Sequence, residues 1–225
     1  MLGALQPVVP SAFGGTAEAA AVLVLLSEFA MLRTALSRSQ VRLYAFQSLV
    51  VTALAFYVAA SRHLGDLYAL GAVSLVLKVI VVPTLVLRLL PDEPVHLESS
   101  RLSVAGRVLA AILVAVFAIF AIGSLPLHSR LLPEPVLGLA VAVVLVAFLL
   151  AVVRADVVSQ AVGFFSLENG VSVASIVVAA GLPVIVEVAF LFDLLVAVVV
   201  FGLLMRLHHG RARTLSTDVL DRLRG

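Results

Sequence analysis

The sequence predicts an all-α fold: a polytopic transmembrane helix bundle of about seven helices, with the N-terminus outside and the C-terminus cytoplasmic. Three observations predict it. Of 225 residues, 63% are hydrophobic and 12% charged, whereas a soluble domain carries about 25% charged residues. The apolar residues are gathered into runs of roughly 20, the length that crosses a hydrocarbon core of ~30 Å as helix. The arginines cluster between alternate runs, as the retention of basic residues on the cytoplasmic side requires.

The runs fall at 16–32, 43–61, 67–90, 104–127, 135–153, 157–180 and 183–206, separated by polar or Pro/Gly punctuation. They are too long for barrel strands and lack in-out alternation, so helices that satisfy their own backbone groups remain. The run from Thr16 to Leu32 lacks a basic leader and a small-residue cleavage site and reads as a retained first span. With the N-terminus outside, Arg33, Arg38, Arg42, Arg88, Arg101, Arg107, Arg154, Arg206, Arg211, Arg213, Arg222 and Arg224 fall on the cytoplasmic side. Only Arg62 and Arg130 fall outside, and Lys78 stays in the membrane. An odd number of spans follows. Residues 1–206 form the transmembrane domain and 207–225 a basic cytoplasmic tail; the loop 91–103 is the other sizeable polar stretch. Spans four and five carry no ionisable residue in their interiors and suit a role as shield or scaffold.

The absence of cysteine excludes disulfides, thiolate metal sites and iron-sulfur ligation by this chain, so any redox cofactor belongs to a partner. Net charge +2 does not mark a nucleic-acid binder, because the arginines sit at helix ends. No Gly-rich phosphate loop, nucleophile elbow or hydrolase carboxylate pair occurs, and no catalytic residue is assigned.

An ionised side chain at mid-bilayer costs about 2.5 to 3.5 kcal/mol on insertion scales and needs a partner, a cavity or a neutralising proton. Five candidates stand out: Glu28, Lys78, Glu168, Glu187 and Asp193. Lys78 and Glu168 lie at the midpoints of their runs and Asp193 close to that of its own, so the three share one depth. Glu168 lies opposite a stripe of Ser159, Gly163, Ser166, Gly170 and Ala174 suited to close packing, which places the acid inside protein. Ala189 and Ala197 bracket Asp193, while Glu187 is roughly 9 Å away along the helix. Pro83, five residues after Lys78, leaves the carbonyl of Val79 unpartnered and predicts a local kink beside the charge. Glu28, near the cytoplasmic end of span one, is expected to pair with Arg33 at the interface. Three mid-membrane acids against one base leave a carboxylate unpaired and suited to proton relay.

Tyr44-Ala45-Phe46-Gln47-Ser48-Leu49, Lys78-Val79 with Val82-Pro83, Gly163-Phe164-Phe165-Ser166-Leu167-Glu168-Asn169-Gly170, and Val186-Glu187-Val188 with Asp193 together carry a family resemblance. The chain resembles component E of the hydrogenase-4 and formate hydrogenlyase type of membrane-bound nickel-iron hydrogenases over most of its length. Its last two spans also look like the K-type subunit of respiratory complex I, in which carboxylates on consecutive helices line the central proton axis. The resemblance implies a non-catalytic subunit in a prokaryotic plasma membrane that connects soluble hydrogenase large and small subunits to antiporter-like membrane subunits. The NiFe centre and iron-sulfur clusters would lie on those partners. Glu168, Lys78 and one of Asp193 and Glu187 would form the proton path. The other readings are a structural membrane anchor and a cation/proton antiporter subunit or stand-alone transporter.

Overall fold

The computed structural model describes residues 11–34, 36–90, 102–125 and 134–178, together with Val199 and Gly202. Every described element is helical: α1 (Ser11–Arg33), α2 (Ser37–Arg62), α3 (Gly65–Ser74), a π-helical segment (Leu75–Val81), α4 (Val82–Leu89), α5 (Val104–Gly123), α6 (Glu134–Val153) and α7 (Val157–Val178). Among the described residues five helices are long and apolar enough to cross a membrane, counting α3, the π segment and α4 as one. The protein is therefore an all-helical, multi-pass membrane protein. The run 183–206, apart from Val199 and Gly202, and the tail 207–225 lie outside the described residues.

Each boundary has a local cause. Thr34 ends α1 by returning both its amide and its hydroxyl to the carbonyl of Ala30. His63 closes α2 in a left-handed conformation (φ 55°) and donates its amide to Ala59, which lets the chain reverse into α3 within two residues. Ser103 caps α5 by accepting the amide of Gly106, and Asp156 caps α7 by accepting that of Ser159 at 2.7 Å. Helix α2 starts at Ser37, six residues before the apolar run. Gln40 in that first stretch is buried and donates to the carbonyl of Met31, so a residue that hydropathy assigns to water faces protein instead.

The expected kink at Pro83 takes a different form. The helix widens over seven residues into π geometry before the proline, with the amide of Val82 reaching back to Leu77. Pro83 then occupies the first turn of α4, where its missing donor costs least. The break is absorbed by extra backbone width, and Lys78 is the buried residue of the widened stretch.

Span five is not a shield. Helix α6 packs against α1, α5 and α7, and 56% of its span is buried against 22% for α5. Helix α5 is the outer element, its Leu113, Phe117 and Phe120 turned outward. The α6–α7 contact depends on glycine: a Cβ at Gly163 would lie 2.8 Å from the backbone nitrogen of Ala151, and one at Gly170 would lie 2.9 Å from that of Val144. Small residues at such crossings let backbones approach in lipid, where packing rather than water exclusion holds helices together. Gly163→Ala should therefore push α7 off α6. A loss of about 1–3 kcal/mol is expected, read as a lower melting temperature in mild detergent, whereas Gly123→Ala, with open space at its Cβ, should leave it unchanged.

Candidate functional site

Helix α7 is the polar axis of the bundle. Its Ser159, Ser166, Glu168 and Asn169 are all buried, and each is met by a side chain from another helix. The Lys78 ammonium in the π segment stands 3.0 Å from Glu168 Oε1 and donates to Ser172 Oγ at 3.0 Å; Ser172 in turn donates to the carbonyl of Glu168. Two of the four residues expected on the proton path are thus brought together across a sequence separation of 90. Glu187 and Asp193 lie outside the described residues.

A cavity borders this pair, lined among others by Thr52, Ser74, Lys78, Glu168, Ser172 and Ser175. Its hydroxyls come from α2, α3 and α7, and the lining residues lead from the pair toward the α2–α3 turn. Arginines mark the opposite end. There Arg154 donates to the carbonyls of Leu32 and Thr34, the latter at 2.5 Å, which clamps the α6–α7 turn onto the α1–α2 turn. Arg107, in the first turn of α5, is buried beside Arg154 and Asp156.

On another face of α7 a second polar cluster joins α1 and α2. Glu28 is fully buried, not paired with the exposed Arg33 at the interface as its sequence position suggests. The five-residue separation turns the two side chains roughly 140° apart on the helix. Gln47 donates to Glu28 Oε1 at 2.8 Å and to the carbonyl of Val24 at 3.2 Å. The Ser166 hydroxyl touches both Glu28 Oε1 and, at 2.6 Å, Gln47 Oε1. Asn169 donates to Gln47 Oε1 and to Ser48 Oγ, both at 2.9 Å. Further toward the arginine end, Ser159 donates to Gln40 at 2.9 Å. Sequence reasoning missed this cluster. Its one available signal was that Gln40, Gln47, Ser48 and Asn169 are polar residues in or beside apolar runs, at helical spacing within each helix.

A multi-pass membrane protein with a buried ion pair and a buried amide-carboxyl cluster on one polar helix is the class this geometry defines. The chain belongs to the same family as a protein of Mycobacterium tuberculosis (strain ATCC 25618 / H37Rv) that bears the name Uncharacterized protein Rv0085. The two are 32% identical over 218 residues, covering 92% of this chain and 93% of the relative. No family model matches the chain. No solved structure matches it either.

Burial raises the Asp156 carboxyl above the ordinary carboxylate range, against the opposing pull of the Ser159 hydrogen bond and of Arg154. Arg154 is lowered by burial and by Arg107, an effect that Asp156 offsets. A carboxyl whose folded value is raised loses stabilising protonation as pH climbs, so stability should fall from the unfolded value, about 3.9, up through the folded one. Asp156→Asn keeps the cap and removes the buried charge, so its melting temperature should be flat across that window, while Asp156→Ala should lie about 1 kcal/mol below Asp156→Asn at every pH.

The ion pair gives a second expectation. Glu168→Leu strands the Lys78 ammonium in the interior and should destabilise by about 3–5 kcal/mol. Lys78→Met combined with Glu168→Leu should recover most of that loss, and additive losses in a double-mutant cycle would show that the two side chains do not interact.

Proposed function

We propose that this chain is an integral membrane subunit of a complex-I-like membrane-bound nickel-iron hydrogenase, connecting the soluble redox module to antiporter-like subunits and contributing mid-membrane carboxyls to a proton path. The observation that carries the reading is the Lys78–Glu168 pair, buried at a π-helical break and bordered by a hydroxyl-lined cavity. A break in regular helix at membrane depth is tolerated where protein or a water-filled cavity covers it. Ionisable residues there belong to ion pathways more often than to lipid-facing surfaces.

The proposed topology has seven spans, with α7 and the run 183–206 as the sixth and seventh, and the arginine-rich end in the cytoplasm. Val199 and Gly202 are helical, and a Gly202 Cβ would lie 3.1 Å from Leu89 of α4, which is compatible with this topology. The cavity would then approach Glu168 from the outer side. The clamp of Arg154 on the α1–α2 turn would hold the cytoplasmic side shut.

In this mechanism a proton arriving at Glu168 neutralises the carboxylate and frees the Lys78 ammonium from it. Ser172 retains Lys78 during the exchange, because it already accepts from Nζ. The ammonium released in this way attracts the next carboxylate along the axis, Asp193 or Glu187, and favours loss of its proton. The nickel-iron centre and iron-sulfur clusters belong to the partner subunits, as the lack of cysteine in this chain requires of cysteine-ligated clusters.

Affinity purification of the tagged chain in mild detergent should recover hydrogenase large and small subunits and antiporter-like membrane subunits by mass spectrometry. A lone, stable protein would overturn the complex in favour of a transporter. Within the assembled complex, Glu168→Gln keeps an oxygen that can accept from Lys78 but cannot release a proton. Hydrogen-linked proton transport in vesicles should fall about tenfold or more, a barrier increase of roughly 1.4 kcal/mol, with the subunits still co-purifying. Full transport in that variant would assign the pair to helix anchoring alone.

A further inference from the structure

Counting hydrogens in the Glu28 cluster exposes a deficit. Ser166 carries a single hydroxyl hydrogen, yet its oxygen contacts two acceptors, Glu28 Oε1 and Gln47 Oε1. If it donates to Gln47, the contact with Glu28 sets one lone pair against another. If it donates to Glu28, the 2.6 Å contact with Gln47 has the same defect. One proton on Glu28 Oε1 removes the conflict: Glu28 donates to Ser166, Ser166 donates to Gln47, and Gln47 still donates to Glu28 and Val24.

Turning the Gln47 amide over does not avoid the extra proton. Its oxygen would then face Glu28 Oε1 at 2.8 Å and the carbonyl of Val24 at 3.2 Å, two oxygen–oxygen contacts, of which the first again requires a hydrogen from Glu28. Burial points the same way. Glu28 is 0% exposed, its Oε2 has no hydrogen-bond partner among the described residues, and no described cation lies within ion-pair distance of it. An ionised carboxylate so placed would carry the desolvation cost of a buried charge with no counter-ion, offset only by hydrogen bonds to Oε1.

The elements packed on α1 are α2, α5, α6 and α7. Their charged or titratable groups are Arg38, Arg42, Tyr44, Tyr57 and Arg62 on α2, Arg107 on α5, Glu134 on α6 and Glu168 on α7. Glu168 is engaged by Lys78, and Arg107 lies in the first turn of α5 near Asp156. None of them supplies Glu28 with a counter-charge.

We infer that Glu28 holds a proton in the folded protein, as a second buried carboxyl site joined through Ser166 to the face of α7 that lies roughly 160° from the face bearing Glu168. The inference does not depend on the hydrogenase reading, since it concerns the resting chain alone. Ser166 and Glu168 share one turn of α7, so the two sites are linked by a single rigid element while their charges stay apart.

Infrared spectra of the full-length protein in lipid bilayers test this directly. Wild type minus Glu28→Gln should show loss of the carbonyl band of a protonated carboxylic acid, and that band should move to lower frequency in deuterium oxide. Glu28→Gln should fold, because it is neutral and of the same shape and its amide hydrogen still reaches Ser166, at the cost of the bond that Oε1 accepts from Gln47. Loss of carboxylate bands instead would overturn the inference. Ser166→Ala supplies a check that leaves Glu28 in place: removing the acceptor should raise the acid carbonyl frequency, and an unmoved band would count against the assignment. Exchange of choline for sodium should leave the acid band intact; its disappearance in sodium would replace the proton site by a metal-cation site.

Discussion

The structure depends on the rule that no polar group may face hydrocarbon unpaired. Helix α7 carries Ser159, Ser166, Glu168 and Asn169 into the interior of the bundle, and the surrounding helices are arranged to answer those side chains. Helix α2 supplies Gln40, Gln47 and Ser48, α1 supplies Glu28, and the π segment supplies Lys78. Packing alone would leave α7 free to rotate about its axis, because valine and alanine make similar contacts over a wide range of angles. Directional hydrogen bonds remove that freedom, and the close crossings at Gly163 and Gly170 against α6 lock what remains. Polar specificity and glycine packing therefore fix the same rotation.

The π segment follows from the same requirement. Pro83 takes away a donor at a depth where water cannot replace it, and a regular helix would also drive the ring into the carbonyl of Val79. Widening by one residue per turn displaces that carbonyl and lets Pro83 begin a new helix as its first-turn residue. The widened backbone also turns the Lys78 side chain toward α7. A helix fault and a buried charge at the same place are one solution to two problems, since the charge needs an interior position and the fault needs cover.

Much of the fold was legible in the sequence because bilayer thickness imposes a length. Runs of about 20 apolar residues coincide with α1, α2, the α3–α4 unit, α5, α6 and α7 to within a few residues at most ends. The shared depth of Lys78, Glu168 and Asp193 was also legible, as was the azimuth of Glu168 from the small-residue stripe, but not which of the two acids Lys78 meets. What hydropathy could not give was direction around the axis where no stripe exists. Glu28 was assigned to the interface by its depth near Arg33, although its azimuth carries it inward to Gln47. Span five read as a shield for the opposite reason: a helix without polar residues can lie at the edge or at the centre, and only Gly163 and Gly170 on its neighbour betray that α6 is central.

The asymmetry of the two ends bears on how charge could move through the bundle. At the arginine end Arg154 closes two turns against each other, and Asp156 fixes the start of α7. From there the buried polar groups form two separately bonded sets, Ser159 with Gln40 and the cluster around Gln47 and Ser166. Beyond Glu168 the hydroxyls of Thr52 and Ser74 are spaced more widely, at 3.5 Å from each other, around the cavity. Tightly bonded groups hold a proton or a side chain in place, whereas loosely spaced hydroxyls around a cavity can reorient and admit water. Lys78 and Glu168 sit at the boundary between these regimes. In the proposed mechanism a change in the charge of either residue would be passed stiffly in one direction, through α7 to its arginine-clamped start, and exchanged with solvent in the other.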